Sequence, residues 1–219
     1  MLNQQKTKAI IFNFTQSYQF STRLKLESEN IDVVEESKLL GLKITNDLKW
    51  SKNTQFIIKK AHARMELLRK IASFGASIQD LKQIYITFIR SLLEQSCVVW
   101  HSGLTDEQTK DLERLQKCAL KVILKNSYKN YIDACKKLNI LTLAQRREQI
   151  NLDFARKCLN NTKMKSLFQH NKKSHAMETR RPYKYNITHA NTSRLYNSPV
   201  LYMQRLLNQY STKNIRNHA

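Results

Sequence analysis

Hydrophobic positions follow two different periods along the chain, and the change falls near residue 50. Before it, short runs with alternating or β-branched residues predict strands at 9–14, 23–27, 31–34 and 39–45. After Ser51 the apolar residues recur every three to four positions, which predicts helices. The pattern therefore predicts a small N-terminal antiparallel sheet followed by a helical bundle, an α+β fold that is mostly α.

Three long helices are predicted, each with one apolar face. The first, 53–72, carries its stripe at Ile58, Ala61, Met65, Leu68 and Ala72. The second begins at Ser77, with Asp80 placed to form a variant capping box. Its inward residues are Leu81, Ile84, Tyr85, Phe88, Ile89 and Leu92. The third begins at the box-like pair Thr105 and Gln108 and buries Leu112, Leu115, Ala119, Val122 and Ile123. Further helices are predicted at 128–138 and 142–159.

Composition divides the chain again near residue 160. Residues 163–219 hold eleven Lys and Arg against a single acid, Glu178, and apolar periodicity nearly vanishes. One short helix is predicted at 198–208, because Pro199 fits a first helical turn. We therefore expect three segments: a β segment at 1–50, a helical bundle at 51–160 and a basic, partly disordered extension at 161–219.

Glycines and prolines are rare, with three and two in the whole chain. The scarcity of these residues favours long uninterrupted elements, because Gly and Pro interrupt helices and strands. Gly41, Gly75 and Gly103 fall at the predicted boundaries between elements. Gly41 fits a tight turn or bulge that a Cβ atom would obstruct.

Net charge limits the choice of partner. The chain carries 38 Lys and Arg against 17 Asp and Glu, a formal net charge of +21, which attracts polyanions and nucleic acid above all. No stretch approaches the roughly 20 apolar residues of a membrane-spanning helix, and the first residues do not resemble a signal peptide. We expect an intracellular protein, in the nucleus or the cytoplasm, whose partner is nucleic acid and not a membrane.

The cysteines do not predict a metal site. Cys97, Cys118, Cys135 and Cys158 lie 17 to 23 residues apart, which is not the close-pair spacing of structural zinc. Single thiols at apolar positions suit a reducing compartment. We expect this chain to bind no cofactor by itself.

Four cations form what we call the basic stripe: Lys110, Arg114, Lys117 and Lys121. Their spacings of 4, 3 and 4 place them on one face of the third helix, opposite its apolar residues, because each residue turns the helix by about 100°. Such a row can follow the phosphates of a nucleic acid. The alternative is an ordinary solvated face, which would usually mix signs, whereas Glu113 is the one acid expected near it.

Other cations and aromatic residues are weaker candidates. Lys59 and Lys70 point outward from the first helix, with Glu66 between them. Arg147 falls near an apolar face, so we expect its stem to line the core edge and its head to stay in water. Aromatic and basic residues that could interleave as in single-strand binders are Tyr128, Tyr131, Arg180, Arg181, Tyr183 and Tyr185.

A series of short motifs carries a family resemblance. Residues 2–8 read Leu-Asn-Gln-Gln-Lys-Thr-Lys, residues 38–42 read Lys-Leu-Leu-Gly-Leu, and residues 48–50 read Leu-Lys-Trp. A later Ser-Pro and Leu-Leu-Asn follow within 198–208. In this order the motifs resemble the C-terminal part of the reverse transcriptase, an RNA-directed DNA polymerase, of non-LTR retrotransposons of the jockey and LINE type. The resemblance implies that the β segment ends a polymerase palm and the bundle is its thumb, which holds RNA template and DNA primer by their backbones.

The resemblance also implies roles for single residues. Asn3, Lys6 and Thr7 belong to the first motif, and the family's lysine at the position of Lys6 lies beside the incoming triphosphate. Gly41 and Trp50 correspond to the turn that grips the primer end. For Lys6 the alternative is a solvated residue at a strand start. For Trp50 it is a half-buried side chain that anchors the sheet on the first helix, and both roles can hold at once.

The metal-binding carboxylates that polymerisation needs have no match in this sequence. Such enzymes use two metal ions held by carboxylates, and the family's adjacent aspartates have no match among the seven scattered aspartates. Magnesium is therefore expected only in the intact polymerase, with the missing palm and fingers as partner. Three interpretations stay open: a C-terminal fragment of a reverse transcriptase, a standalone non-specific nucleic-acid-binding protein, and a non-functional transposon remnant.

We predict that this chain alone does not polymerise, because neither metal role can be filled without the carboxylates. The purified chain would be incubated with an annealed RNA template and DNA primer, magnesium and nucleotides. Primer extension should not exceed that of a sample without protein. Extension above that blank would contradict the prediction and point to carboxylates that the pattern does not reveal.

Overall fold

The computed structural model describes residues 7–14, 24–26, 29–169 and 184–216. Several predictions fall outside these ranges, among them the roles of Asn3 and Lys6 and the tail residues Arg180, Arg181 and Tyr183. Within them the fold is mostly helical with a small β region at the N-terminal end. The predicted α+β, mostly α class is confirmed.

The β region consists of separate two-stranded pairs within the described residues. β1 (Lys8–Ala9) pairs in parallel with β4 (Asp32–Val33), and β2 (Lys25–Leu26) pairs antiparallel with β3 (Glu29–Asn30). β5 (Glu36–Leu39) and β6 (Leu42–Thr45) form an antiparallel hairpin. The predicted antiparallel pairing holds for β2–β3 and β5–β6. β1 pairs in parallel instead, because the long connection to β4 lets the chain return in the same direction.

The β5–β6 hairpin turns at Leu40 and Gly41, whose φ angles are 47° and 89°. Two successive positive φ angles are typical of the hairpin turn that matches strand twist, and glycine adopts them without strain. A Cβ at residue 41 would also lie 2.6 Å from Nε2 of Gln95. The tight turn predicted at Gly41 is confirmed.

The helices follow in chain order. They are α1 (Ser51–Ser73), α2 (Ile78–Ile84), α3 (Ser91–Glu94), α4 (Cys97–Trp100), α5 (Asp106–Leu124), α6 (Tyr131–Lys137), α7 (Leu143–Leu159), α8 (Ser193–Tyr196) and α9 (Pro199–Arg216). Short 3₁₀ turns occupy His101–Gly103, Lys125–Ser127 and Lys165–Leu167. The predicted caps form: the Ser77 hydroxyl accepts from the Asp80 amide, and Thr105 and Gln108 make a capping box. Thr142 and Gln145 make another.

A π-helical segment, Tyr85–Arg90, joins α2 to α3. Its wider turn shifts the side chains that follow away from the 3.6-residue period. Tyr85 and Ile89 are fully buried as predicted, but Phe88 is 41% exposed, so its predicted inward position was wrong.

The main hydrophobic core lies between α1, α5 and the helical run from α2 to α4. Its fully buried side chains include Leu68, Tyr85, Trp100, Leu112 and Leu120. Most of the residues predicted to be in the core are buried. The exceptions are small: α1 buries Ile57 more deeply than the predicted Ile58, and Val122 is only partly buried. Trp50 is half-buried at the start of α1, with its indole so close to Gly103 that a Cβ there would lie 2.7 Å from Nε1.

A second hydrophobic cluster joins α7 to the basic extension. Leu152 and Ala155 of α7 pack with Phe168, Tyr185 and Leu206, all of which are buried. The helix predicted at 198–208 continues to Arg216 as α9. Its residues Leu201, Met203, Leu206 and Leu207 are buried, whereas most described residues at 161–167 and 191–197 are exposed. The apolar residues of α9 recur at helical spacing, and α7 supplies the partner face.

The prediction that the head of Arg147 stays in water was wrong. Its side chain is fully buried, with the guanidinium 5.8 Å from the Trp100 ring centroid and not in water. Among the described residues, none of its three guanidinium nitrogens has a hydrogen-bond partner. Burial, and then the charge of Arg147, lower the pKa of the neighbouring His101 to about 4. Within the described structure, Arg147 is therefore a buried cation without a paired anion.

We predict that Arg147→Met stabilises the fold. Methionine fills a similar volume without a charge, and replacing buried ionic groups by apolar ones typically changes stability by about 0 to +4 kcal/mol. The free energy of unfolding, measured by urea denaturation with circular dichroism, should rise. Arg146→Met is the matched control, since Arg146 is partly exposed and pairs with Glu94 at 3.2 Å, and it should bring no gain. A clear loss of stability in Arg147→Met would contradict the prediction.

Candidate nucleic-acid interface

The basic stripe lies on the exposed face of α5. Lys110, Arg114, Lys117 and Lys121 are all exposed, while Leu112 and Ala119 on the opposite face are completely buried. From Lys110 to Lys121 the stripe extends for about 16 Å at 1.5 Å per residue. The structure therefore brings together the four cations that their spacing predicted to share a face.

Glu113 lies beside the stripe on α5, as expected, but it is partly buried and its carboxylate is bonded to neighbouring elements. Its carboxylate accepts hydrogen bonds from the amides of Leu143 and Ala144 at 3.3 and 2.5 Å, and from the Tyr131 hydroxyl. These amides begin α7, where the helix dipole favours an anion. The acid that contacts the stripe is Asp111, which pairs with Arg114 at 3.0 Å.

Two tyrosines flank the stripe. The Lys117 ammonium lies 5.3 Å from the Tyr131 ring centroid, and the Lys121 ammonium lies 5.5 Å from that of Tyr128. Burial, and then the hydrogen bond to Glu113, raise the pKa of Tyr131, so its phenol stays neutral. Tyr185 is buried in the second cluster instead. A cation lies beside each of the rings of Tyr128, Tyr131 and Tyr185, but the Tyr185 ring is buried and offers no face for stacking.

The α1 candidates Lys59 and Lys70 are both exposed, as expected. Glu66, which lies between them in sequence, forms an ion pair with Arg69. An exposed pair of this kind contributes little, about 0–1 kcal/mol, so it can rearrange when a polyanion approaches.

A further basic surface was missed by sequence reasoning, and we call it the hairpin-side surface. The Phe56 ring has three ammonium groups within 6 Å, those of Lys38, Lys43 and Lys60 at 5.7, 5.7 and 4.4 Å from its centroid. Beside it the Arg64 guanidinium lies 4.4 Å from the exposed Phe88 ring. Phe56, Lys60 and Arg64 are spaced by four residues on α1, a signal that the sequence offered.

Glu36 is the acid of the hairpin-side surface. It pairs with Lys52 at 2.7 Å and with Lys43 at 3.4 Å. The hydrogen bond from Lys52, followed by the charge of Lys43, lowers the pKa of Glu36. The carboxylate is therefore ionised at neutral pH, and the cations still outnumber it.

Two of the aspartates stabilise a turn and a helix start: Asp47 and Asp80. Asp47 accepts a hydrogen bond from the Thr45 hydroxyl at 2.6 Å and another from the Lys49 amide at 3.0 Å. Hydrogen bonding, first of all from Thr45, lowers the pKa of Asp47. Across residues 7–14, 24–26, 29–169 and 184–216, no three His, Cys, Asp or Glu side chains group closely enough to hold a metal ion.

In the described part of the chain, no helix has both the length and the apolar character to span a bilayer.

Comparison with known proteins adds no relative. No protein-family model matches the chain, and neither the curated proteins nor the solved structures include a significant match.

We predict that the basic stripe contributes more to nucleic-acid binding than an equal charge elsewhere. Changing Lys110, Arg114, Lys117 and Lys121 together to glutamine should weaken duplex binding about tenfold or more, because phosphate contacts are lost. Glutamine keeps nearly the same helix propensity as lysine and arginine. Fluorescence anisotropy with a labelled duplex would measure the affinity.

The matched control removes the same charge from exposed cations at and after the end of α7: Arg156, Lys157, Lys163 and Lys165. Arg156 pairs with Asp153 at 3.4 Å, as Arg114 pairs with Asp111, so each variant breaks one such pair. A long-range field alone would make the two losses equal. Equal losses, or a larger loss in the control, would mean that the stripe is only a solvated face.

Proposed function

We propose that the chain binds the backbone of nucleic acid through the basic stripe on α5. The observation that carries this proposal is the row of four exposed cations, contacted by Asp111 and with Glu113 turned into the protein. Phosphate contacts of this kind supply affinity without sequence preference. The net charge of +21 supports the same partner through long-range attraction.

We propose further that this binding segment corresponds to the thumb-like part of a non-LTR retrotransposon reverse transcriptase. The order of the motifs along the chain supports this, together with a β hairpin that leads directly into a long first helix. In such a polymerase the stripe would hold template and primer. The palm would supply the carboxylates and the magnesium, and this chain would bind the template and primer without taking part in nucleotidyl transfer.

A standalone nucleic-acid-binding protein is the second candidate. It is favoured by the two hydrophobic clusters, which the helices from α1 to α9 build among themselves with little help from the β region. Among the described strand residues, Leu42 is buried in the main cluster and Ile44 packs against it partly buried. A helical unit with its own core can bind a polyanion without a palm.

We predict a steep salt dependence with little sequence preference. If about four phosphates are contacted, the logarithm of the association constant should fall against the logarithm of salt concentration with a slope of about −3 to −4, at about 0.7–0.9 for each contact. Titrations of duplexes of unrelated sequence at several salt concentrations would measure it. The slope should flatten in the four-glutamine stripe variant, and an affinity insensitive to salt would contradict the proposal.

A further inference from the structure

A groove runs between α1 and α5 beside the basic stripe. It has a volume of about 230 Å³. The residues that line it are Ile58, His62, Asp111, Arg114, Leu115 and Cys118. Leu115 is buried, and Ile58 and Cys118 are partly buried against the main core, so the floor is apolar. His62 and Arg114 are exposed and form a polar rim.

The size and chemistry of the groove suit one flat ring system. Drug-sized sites occupy roughly 300–1,000 Å³, so a groove of about 230 Å³ suits a ligand smaller than these, such as a single base. A nucleobase has an apolar face that can lie on the floor and a polar edge that needs partners. At the rim, the Asp111 carboxylate can accept from an exocyclic amino group, and His62 offers both a donor and an acceptor.

Arg114 connects the groove to the basic stripe, because it belongs to both. Its ion pair with Asp111 is exposed, with 73% of the Arg114 side chain accessible. An exposed pair contributes little to stability, so a phosphate can replace Asp111 as the partner of the guanidinium. Asp111 is then available to a base. A single strand can therefore place a phosphate on the basic stripe and a neighbouring base in the groove.

We propose that the groove receives an unpaired nucleobase of a single strand whose phosphates lie along the basic stripe. This rests on the proposed function and adds to it the form of nucleic acid that the surface prefers. In a duplex the bases are stacked and paired, so none can enter unless it is flipped out. The surface therefore distinguishes single strands from duplexes by a base contact and not by charge.

The thiol of Cys118 allows a direct test. It is partly exposed in the groove, whereas Cys97, Cys135 and Cys158 are buried. Its rate of alkylation by iodoacetamide would be followed by mass spectrometry at saturating ligand. The three ligands are DNA probes of equal length: a mixed-sequence single strand, the same phosphodiester backbone with abasic residues throughout, and the duplex.

The base-bearing single strand should slow alkylation of Cys118 several-fold, while the abasic strand and the duplex should leave the rate within about twofold. The base-bearing strand should also bind about tenfold more tightly than the abasic strand, as base contacts typically contribute. Equal protection by the abasic strand or by the duplex would overturn the proposal, as would no protection by the single strand. If no probe binds at all, the proposed function itself fails, so the two failures are distinguishable.

Discussion

The orientation of α5 determines which of its faces meets solvent, and a buried glutamine sets that orientation. Gln116 is completely buried, accepts from the Tyr85 hydroxyl at 2.6 Å, and donates to the Tyr131 hydroxyl and the Leu141 carbonyl at 3.0 and 2.9 Å. These partners come from the π-helical segment, from α6 and from the loop before α7. A rotation of α5 would leave several buried polar groups unpaired, at about 1–3 kcal/mol for each.

The same network decides the charge of the surface. One turn before Gln116, Glu113 binds the first amides of α7 and the Tyr131 hydroxyl, so its charge is used inside the protein. The cations of the basic stripe are left with Asp111 as a close acid. The contacts of Glu113 therefore hold the start of α7 in place. The same contacts engage the charge of Glu113, so the exposed face of α5 stays strongly basic, as the proposed binding requires.

Packing of α4 and α9 on α7 accompanies the burial of the Arg147 charge, which is unfavourable for stability. The cluster containing Leu206 and Phe168 gives the basic extension a hydrophobic anchor. With α4 on the same part of α7, the covered region includes Arg147, whose guanidinium lies over Trp100 without a hydrogen-bond partner in the described structure. Burying a charge without a partner is unfavourable, and the apolar contacts around it must offset that cost.

The sequence by itself determined the local features: the helix periods, the caps at Ser77 and Thr105, the turn at Gly41 and the common face of the basic stripe. Each depends on residues close in the chain, where the period of a helix or the φ angle of a turn is decisive. Only the tertiary structure decided the direction of Glu113, the burial of Arg147, the exposure of Phe88, the parallel pairing of β1 and the length of α9. These depend on partners 20 or more residues away or on a local change of helical period, neither of which a repeat along one segment encodes.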